Sequence, residues 1–309
     1  MLVKDPPVEI FSGLWMLGSD PYPLYLVQGP DAGAIFEGSI GAMGAVVRQQ
    51  LAGLGVTGDR IKQIVVTHAH PDHVMAVPLL REMFPGAQVL ASEIAARTLA
   101  VEKAIAAFSD IDQAIAGSLV ASGTIAEEHR PNRLAEKQIA VDRLLKEGDV
   151  VAIDGFSFTV LQTPGHSDCS LSFHDPGKGI LIISDATGYY MPRQRAWWPN
   201  YFADYGKYVE SIRRLAALKA EVLCLSHNGA IRGPGDVAAY FRDCLAATEA
   251  YHRRICEQIK AGTPVRQLAE QLGGEIHAQT GVLPVDFFQK NCGILIKQSL
   301  RFENIAADK

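Results

Sequence analysis

The segment VVTHAHPDHVMA, from Val65 to Ala76, places three histidines and an aspartate within six residues. The apolar run IKQIVV before it indicates a buried strand, and VMAVPLLREMF after it indicates the start of a helix. In an extended segment His68 and His70 point the same way, and Asp72 and His73 begin the next turn. Neutral imidazole and carboxylate suit zinc or a similar divalent ion. The segment predicts a metal site at the exit of a core strand; the alternative is a polar surface loop.

Three more polar residues follow apolar runs. They are His166 in VLQTPGHSD, Asp185 in ILIISDAT and His227 in EVLCLSHNG. Each alone has a structural explanation: a capped turn for His166, a helix N-cap for Asp185 and a core histidine for His227. Together with the first segment they form a set of seven candidate ligands, all at strand ends. The remaining histidines lack that context and are interpreted as ordinary surface or core residues: His129, His174, His252 and His277.

The composition excludes several classes of protein. The chain has 309 residues, a formal charge of −5 and 20% charged residues, and no basic tract that indicates nucleic-acid binding. Its five cysteines form no CxxC pair, which favours a reducing compartment over a disulfide framework. We find no signal-peptide core and no run of about 18 apolar residues. These features predict a soluble cytoplasmic protein without a membrane segment.

Strand and helix patterns alternate along the chain, which predicts an α/β fold. Short strands are expected over residues 8–38, a helix at AMGAVVRQQLAGLG, and further strands up to EVLCLSHNG. The alanine-rich stretch from about 104 to 138 is expected to be a helical insertion. Two domains are predicted: residues 1–233 as the catalytic domain, and residues 234–309 as a helical region packing on it. In that region TPVRQLAEQLGG indicates a helix with a threonine cap and proline in its first turn.

The ordered motifs THAHPDH, TPGHS, SDA and SHN resemble those of the metallo-β-lactamase superfamily of hydrolases, over roughly residues 8–230. The resemblance implies an αββα sandwich with helices outside, a C-terminal helical extension and a dinuclear site at one edge. It implies these ligand sets: His68, His70 and His166 for one metal; Asp72, His73 and His227 for the other; and Asp185 bridging. Histidine at position 70 favours a hydrolytic site over the flavodiiron pattern, in which a glutamate stands there.

Two positions depart from the usual family pattern. Val74 and Met75 follow His73, where a small residue or a glycine pair is common, so the wall beside the second metal is expected to be bulkier. Glu37, in AIFEGS, stands where a structural aspartate is usual. Neither change removes a ligand.

The chemistry implied is hydrolysis by a hydroxide that bridges two divalent metals, with zinc expected and iron or manganese as alternatives. Asp72 is the candidate catalytic residue, both as a ligand and as orienter of the nucleophile. Thr67, Ser167 and Ser226 flank ligands, and they either fix imidazole orientations or are ordinary polar loop residues.

An aromatic segment follows Asp185, and four of its residues are candidate substrate contacts: Tyr189, Tyr190, Trp197 and Trp198. Exposed aromatic side chains beside a hydrolytic site favour an apolar or aromatic acyl substrate; the alternative is that they pack the loop onto the C-terminal helices. This arrangement resembles the glyoxalase II and thioesterase-like branch, and the helical tail is similar to that of the quinolone signal response protein. The basic C-terminal cluster with which glyoxalase II binds glutathione is missing, which argues against a glutathione thioester.

The leading interpretation is a hydrolase of a small-molecule thioester. A lactonase is the first alternative, with Tyr189 or Tyr190 beside the metals. A second alternative is a persulfide dioxygenase with a single iron. A third is a regulatory protein on a hydrolase scaffold, whose C-terminal helices bind a partner. A homodimer is a further expectation, and a phosphodiesterase or ribonuclease is disfavoured by the missing basic groove.

Overall fold

The computed structural model describes residues 1–281 and 283–306. Its contacts divide the chain into two compact units. Unit 1 comprises Met1–Gln162, Cys169–Ser184 and Lys219–Val237. Unit 2 comprises Thr163–Asp168, Asp185–Leu218 and the part of the chain from Ala238 onward. Unit 2 thus combines the C-terminal region with residues that precede the predicted boundary at Gly233, and that boundary stays a prediction.

The secondary structure alternates through most of the chain, as predicted. The strands are β1 Leu2–Val3, β2 Val8–Phe11, β3 Leu14–Gly18, β4 Pro23–Gln28, β5 Gly33–Phe36, β6 Ile61–Val65, β7 Gln88–Ser92, β8 Arg143–Leu145, β9 Val150–Ile153, β10 Phe156–Gln162, β11 Leu171–Asp175, β12 Ile180–Ile182, β13 Tyr189–Met191, β14 Ala196–Trp198, β15 Val222–Cys224 and β16 Ala230–Arg232. The helices are α1 Gly41–Gly53, α2 Val77–Met83, α3 Glu93–Leu99, α4 Glu102–Ala121, α5 Tyr205–Ala217, α6 Pro234–Lys260, α7 Val265–Thr280 and α8 Val285–Phe302.

Unit 1 contains two mixed seven-stranded sheets. One has the order β2-β3-β4-β5-β6-β7-β8, and the other β1-β16-β15-β12-β11-β10-β9. Their inner faces share one hydrophobic core, in which the Phe36 ring lies 5.0 Å from that of Phe158 and 5.1 Å from that of Phe173. The predicted α/β class with two sheets face to face is confirmed.

Parallel pairing at the centre of the first sheet positions the histidine segment. β6 lies between β5 and β7 and runs parallel to both. Parallel strands in one sheet need crossover connections, and α1 and α2 lie in the segments that make them. The carboxyl ends of β5 and β6 therefore lie at one edge of the sheet, and the segments that leave them meet there.

Helix α4 confirms the expectation of a helix within the 104–138 stretch. Among the described residues it is the one helix long and apolar enough to cross a membrane by length and composition alone, a test that core helices of soluble proteins also pass. Asp112 in its middle is buried, and its carboxylate accepts a 2.7 Å hydrogen bond from Gly41 N, the first residue of α1. The insertion therefore caps the N-terminus of α1. The N-cap residue itself, Ile40, makes no side-chain hydrogen bond there.

Unit 2 is built from α5, α7, α8 and most of α6. Asp204 caps α5 through Lys207 N, and α7 packs closely on α8, where a Cβ at Gly273 would lie 2.5 Å from Gln289 N. The buried Tyr201 hydroxyl forms a 2.9 Å hydrogen bond with Ser299 Oγ.

Three details of this region differ from the sequence analysis. Helix α8 was not predicted. Residue Pro264, not Thr263, occupies the N-cap of α7, and the Thr263 hydroxyl instead donates to Gln258 Oε1 at 3.0 Å. The aromatic segment after Asp185, predicted as a loop, contains the β13–β14 hairpin.

Candidate metal centre

The histidine segment leaves the carboxyl end of β6 and turns sharply. Val66 N donates to Leu90 O and keeps the chain extended up to the first ligand, and Pro71–His73 then form a 3-10 turn. His68 and His73 are buried, whereas His70 and Asp72 are partly exposed. The segment thus presents two buried imidazoles and two donors that solvent reaches.

One compact donor group combines Asp72, His73 and His227, all in unit 1. Asp72 Oδ2 lies 3.4 Å from His73 Nε2 and 3.6 Å from His227 Nε2. His227 follows β15 and reaches this group from the second sheet, as its position after an apolar run predicted.

A second group in unit 1 combines His68 and His70. Their nitrogens, Nε2 of His68 and Nδ1 of His70, are 3.2 Å apart. The His68 ring also lies 4.2 Å from that of His73, centroid to centroid, so the two groups are adjacent.

His166 and Asp185, the two predicted ligands in unit 2, also lie together. His166 Nε2 is 3.4 Å from Asp185 Oδ2, and both side chains are buried. The turn that carries His166 depends on Gly165, whose φ is +125° and whose Cβ position would lie 2.3 Å from Tyr208 N. Only glycine fits this backbone.

For three of the candidate histidine ligands, the contact of Nδ1 shows which ring nitrogen carries the proton. The Nδ1 of His73 lies 2.9 Å from Glu37 Oε2, that of His166 lies 2.8 Å from Asn200 O, and that of His227 lies 2.7 Å from Pro21 O. Carboxylate and carbonyl oxygens only accept, so Nδ1 carries the proton and Nε2 of each neutral ring presents a lone pair. In each of these three residues Nε2 lies between 3.4 and 3.6 Å from a carboxylate oxygen.

Glu37 fixes two members of the segment at once. It is 1% exposed and, besides His73 Nδ1, its carboxylate accepts a 2.7 Å hydrogen bond from the Thr67 hydroxyl. Because the Thr67 hydroxyl donates its one proton to Glu37, its oxygen can act only as an acceptor toward His68 Nδ1, 3.3 Å away. The sequence analysis noted Glu37 as a departure and assigned it no role; the role depends on β5 and β6 being neighbours.

Ser184 was missed by the sequence analysis. Its hydroxyl lies 2.8 Å from His68 Nδ1, and it directly precedes Asp185 at the end of the β12 segment. The predicted role of Thr67 in fixing an imidazole agrees with these contacts, while those of Ser167 and Ser226 stay predictions.

The donor set fits divalent metal ions. The donor-atom separations of 3.2, 3.4, 3.4 and 3.6 Å match the roughly 3.4 Å expected between nitrogen or oxygen ligands arranged tetrahedrally at about 2.0–2.1 Å from zinc. At the three nitrogen-to-carboxylate separations, the unprotonated Nε2 and the carboxylate oxygen repel unless a cation lies between them. Histidines held through their second nitrogen are also typical of metal sites.

The four candidate substrate contacts are less exposed than expected. Tyr189 pairs with Trp198 and Tyr190 with Trp197 across the β13–β14 hairpin. Trp198 is buried, and its ring lies 5.4 Å from that of Phe288 in α8. It therefore packs onto a C-terminal helix, which was the alternative to substrate contact. Tyr189, Tyr190 and Trp197 are half-buried, and their contact with substrate stays a prediction.

Tyr190, one of the two tyrosines considered for a lactonase, packs into an aromatic cluster. Its ring is 4.6 Å from that of Trp197 and 5.3 Å from that of Tyr240 in α6. Burial raises the pKa of Tyr190 above its ordinary value, so its hydroxyl is protonated at neutral pH.

Comparison with known proteins agrees with this geometry. The sequence model of the family described as "Metallo-beta-lactamase superfamily" matches residues 19–227. Among curated relatives, a hydroxyacylglutathione hydrolase of Fuscovulum blasticum is 31% identical over 44% of this chain. An acyl-coenzyme A thioesterase of Gallus gallus is 37% identical over 25% of this chain. The matches span 38% of the first relative's length and 26% of the second's.

A solved structure covers nearly the whole chain. It is a metallo-beta-lactamase family protein of Thermus thermophilus, with a TM-score of 0.65 and 24% identity, and the match covers 96% of this chain and 95% of that one. This likeness confirms the predicted fold, with its C-terminal helical extension included in the matched length.

Proposed function

Since the chain belongs to the metallo-β-lactamase superfamily, a family of metal-binding hydrolases, we propose that it is a metal-dependent hydrolase of acyl thioesters. The observation that carries the proposal is the set of donor separations between 3.2 and 3.6 Å, with the Nδ1 protons of His73, His166 and His227 held by oxygen atoms outside the donor set. We further propose that all seven predicted ligands bind metal: His68, His70, Asp72, His73 and His227 in unit 1, and His166 and Asp185 in unit 2. Two divalent ions, with zinc expected, are the proposed cofactors.

Divalent ions bound at these donors would polarise the substrate carbonyl and would lower the pKa of a bound water to near 7. The protein's contribution is to fix the donors. Glu37, Pro21 O and Asn200 O hold the imidazole protons, so three Nε2 lone pairs are aimed without rearrangement. Such pre-positioning lowers the barrier, because the groups need not reorganise during the reaction.

Asp72 is the proposed catalytic residue. Its side chain is 27% exposed, whereas those of His73 and His227 are 2% and 4% exposed. In this group the Asp72 carboxylate is therefore the one that can accept a hydrogen bond from an attacking water and orient it.

A thioester is proposed because two relatives carry names of thioester hydrolases, hydroxyacylglutathione hydrolase and acyl-coenzyme A thioesterase. The half-buried Tyr190 and Trp197 favour an apolar or aromatic acyl group. Coenzyme A is preferred over glutathione as the leaving group, because the basic C-terminal cluster of glyoxalase II is not found in the sequence.

The test is a substrate panel on one preparation: an aromatic acyl-coenzyme A, the matching glutathione thioester, an acyl-homoserine lactone and a phosphodiester. Each is assayed before chelation, after chelation and after zinc or manganese is returned. We expect metal-restored cleavage of the coenzyme A thioester, lost in Asp72→Asn and retained in His129→Ala, a histidine outside the donor set.

The other outcomes each reject part of the proposal. Cleavage of the lactone alone makes the protein a lactonase, and preference for the glutathione ester rejects coenzyme A as leaving group. No metal-dependent turnover on any substrate rejects the hydrolase, and oxygen consumption with a persulfide then tests the dioxygenase alternative.

A further inference from the structure

A pocket of about 360 Å³ lies wholly within unit 2. Its lining residues come from α5, α6 and the end of α8: Tyr205, Gly206, Val209, Arg213, Glu249, His252, Arg253 and Phe302. None of them is a proposed metal donor or a predicted substrate contact. The volume is in the range of sites that bind small organic molecules.

Three aromatic rings form the apolar part of the pocket. Tyr205 and His252 stack, with centroids 3.8 Å apart and planes 13° from parallel. Phe302 stands nearly perpendicular to them, 4.9 Å from Tyr205, and is 52% exposed. A Cβ at Gly206 would lie 3.0 Å from the Phe302 ring, so the glycine lets that ring lie against α5. An exposed ring face beside a stacked pair favours a flat, aromatic ligand.

Among the eight lining residues, Arg253 is the one charged side chain without a counter-charge, and the Glu303 carboxylate lies beside the lining at His252. Arg213 forms a 2.8 Å ion pair with Glu249, so these two charges cancel. Arg253 is exposed and has no ion-pair or hydrogen-bond partner within residues 1–281 and 283–306. One planar guanidinium suits one carboxylate, which it can bind through two parallel hydrogen bonds. A dianionic phosphate would find only half of its charge balanced.

His252, one of the stacked rings, is buried and is held by Glu303. Only 6% of the residue is exposed, and its Nε2 lies 3.1 Å from Glu303 Oε1. The carboxylate accepts, so Nε2 carries the proton and Nδ1 of the neutral ring keeps a lone pair. That buried Nδ1 has no hydrogen-bond partner in the described part of the chain. Buried polar atoms without partners are uncommon in folded proteins.

We propose that this pocket binds a planar aromatic monocarboxylate, with its ring against Phe302 and its carboxylate on Arg253. The proposal does not rest on the hydrolase function, because it uses no residue of the metal centre.

The probe is 2-naphthoate, titrated calorimetrically into the full-length, metal-loaded protein. We expect one site, weakened about tenfold by Arg253→Gln, as for loss of a charged hydrogen bond. Glu249→Gln leaves Arg213 unpaired beside the pocket and should tighten binding severalfold. Arg48→Gln, an exposed arginine of unit 1, is the matched control and should leave affinity unchanged.

Two ligand comparisons complete the test. Replacing 2-naphthoate by 2-naphthamide should abolish most of the binding, and cyclohexanecarboxylate should bind more weakly because it is not planar. Equal affinity in the wild type and Arg253→Gln overturns the proposal, since the acid then binds elsewhere, as at the metal centre. Absence of binding in the wild type overturns it as well.

Discussion

At the residue scale, each proposed imidazole ligand depends on the partner of its second nitrogen. Glu37 is the partner with the most influence, because one carboxylate holds both His73 Nδ1, at 2.9 Å, and the Thr67 hydroxyl, at 2.7 Å. Its backbone has a φ of +77°, a conformation that few non-glycine residues adopt. A side chain kept there at a conformational cost is consistent with this orienting role.

Glu37→Gln should lower metal affinity by roughly 10- to 100-fold, because the neutral amide supports the His73 imidazole less well than a carboxylate. Competition with a coloured chelator measures the affinity. Glu82→Gln, an exposed glutamate of α2, is the control and should bind metal like the wild type. Equal affinities in all three proteins would show that Glu37 has no part in positioning the ligand.

The places of the proposed ligands after core strands were predictable, because each follows an apolar run typical of a buried strand. Their partners were not. Glu37, Pro21 and Asn200 are 36, 206 and 34 residues away from the histidines they hold. The strands of unit 1 bring Glu37 and Pro21 to their histidines, and the fold of unit 2 brings Asn200 to His166, so the local sequence pattern carries no sign of these partners.

At the element scale, α4 caps the start of α1 through the buried carboxyl group of Asp112. Burial raises the pKa of Asp112 to about 6, against an ordinary value of 3.8, although the hydrogen bond from Gly41 N opposes the shift. Between about pH 4 and 6 the folded protein holds a proton that the unfolded chain has released, so the free energy of unfolding falls as pH rises through this window.

Asp112→Asn should remove this pH dependence, since the amide oxygen still accepts from Gly41 N and no charge is buried. The loss of unfolding free energy between pH 4.5 and pH 7, about 2 kcal/mol from this carboxyl in the wild type, should be absent in the variant. Urea unfolding at both pH values measures it. Asp110→Asn, an exposed neighbour, is the control; an unchanged pH profile in Asp112→Asn contradicts the assignment.

The turn that carries His166 makes a second prediction at this scale. Gly165→Ala places a Cβ 2.3 Å from backbone atoms of α5 at a φ of +125°. We expect a loss of more than about 3 kcal/mol in the free energy of unfolding, from clash and backbone strain together. Gly86→Ala meets no atom within 4 Å and should be near neutral. Similar stabilities of the two variants would contradict the packing described here.

Element types in the first half of the chain followed from periodicity, because half-buried strands and amphipathic helices have distinct patterns. The errors lie in unit 2. The two hairpin strands are too short to show strand alternation: Tyr189–Met191 and Ala196–Trp198. Their aromatic residues were therefore assigned to a loop. Thr263 was a plausible cap by residue type, but the chain begins α7 one residue later, where the fixed φ of proline suits the N-cap.

At the scale of the whole molecule, the sequence order of the ligands reflects the order of the strands. The first four follow β6, His166 follows β10, Asp185 follows β12 and His227 follows β15. If these residues bind metal as proposed, both sheets must form before the donors are complete, and metal binding is then coupled to folding. Oligomeric state, compartment and substrate depend on surfaces and partners that the core pattern does not encode, and they stay predictions.

The most direct test of the central claim is a metal titration that records bound metal and thioester hydrolysis on the same samples. Chelator-stripped protein receives zinc in steps, metal content is measured by mass spectrometry, and hydrolysis of an aromatic acyl-coenzyme A is followed at each step. We predict saturation at two zinc ions per chain, with hydrolysis rising to a maximum as the second ion binds. Full hydrolysis by the stripped protein, or saturation with zinc without any hydrolysis, would contradict the account.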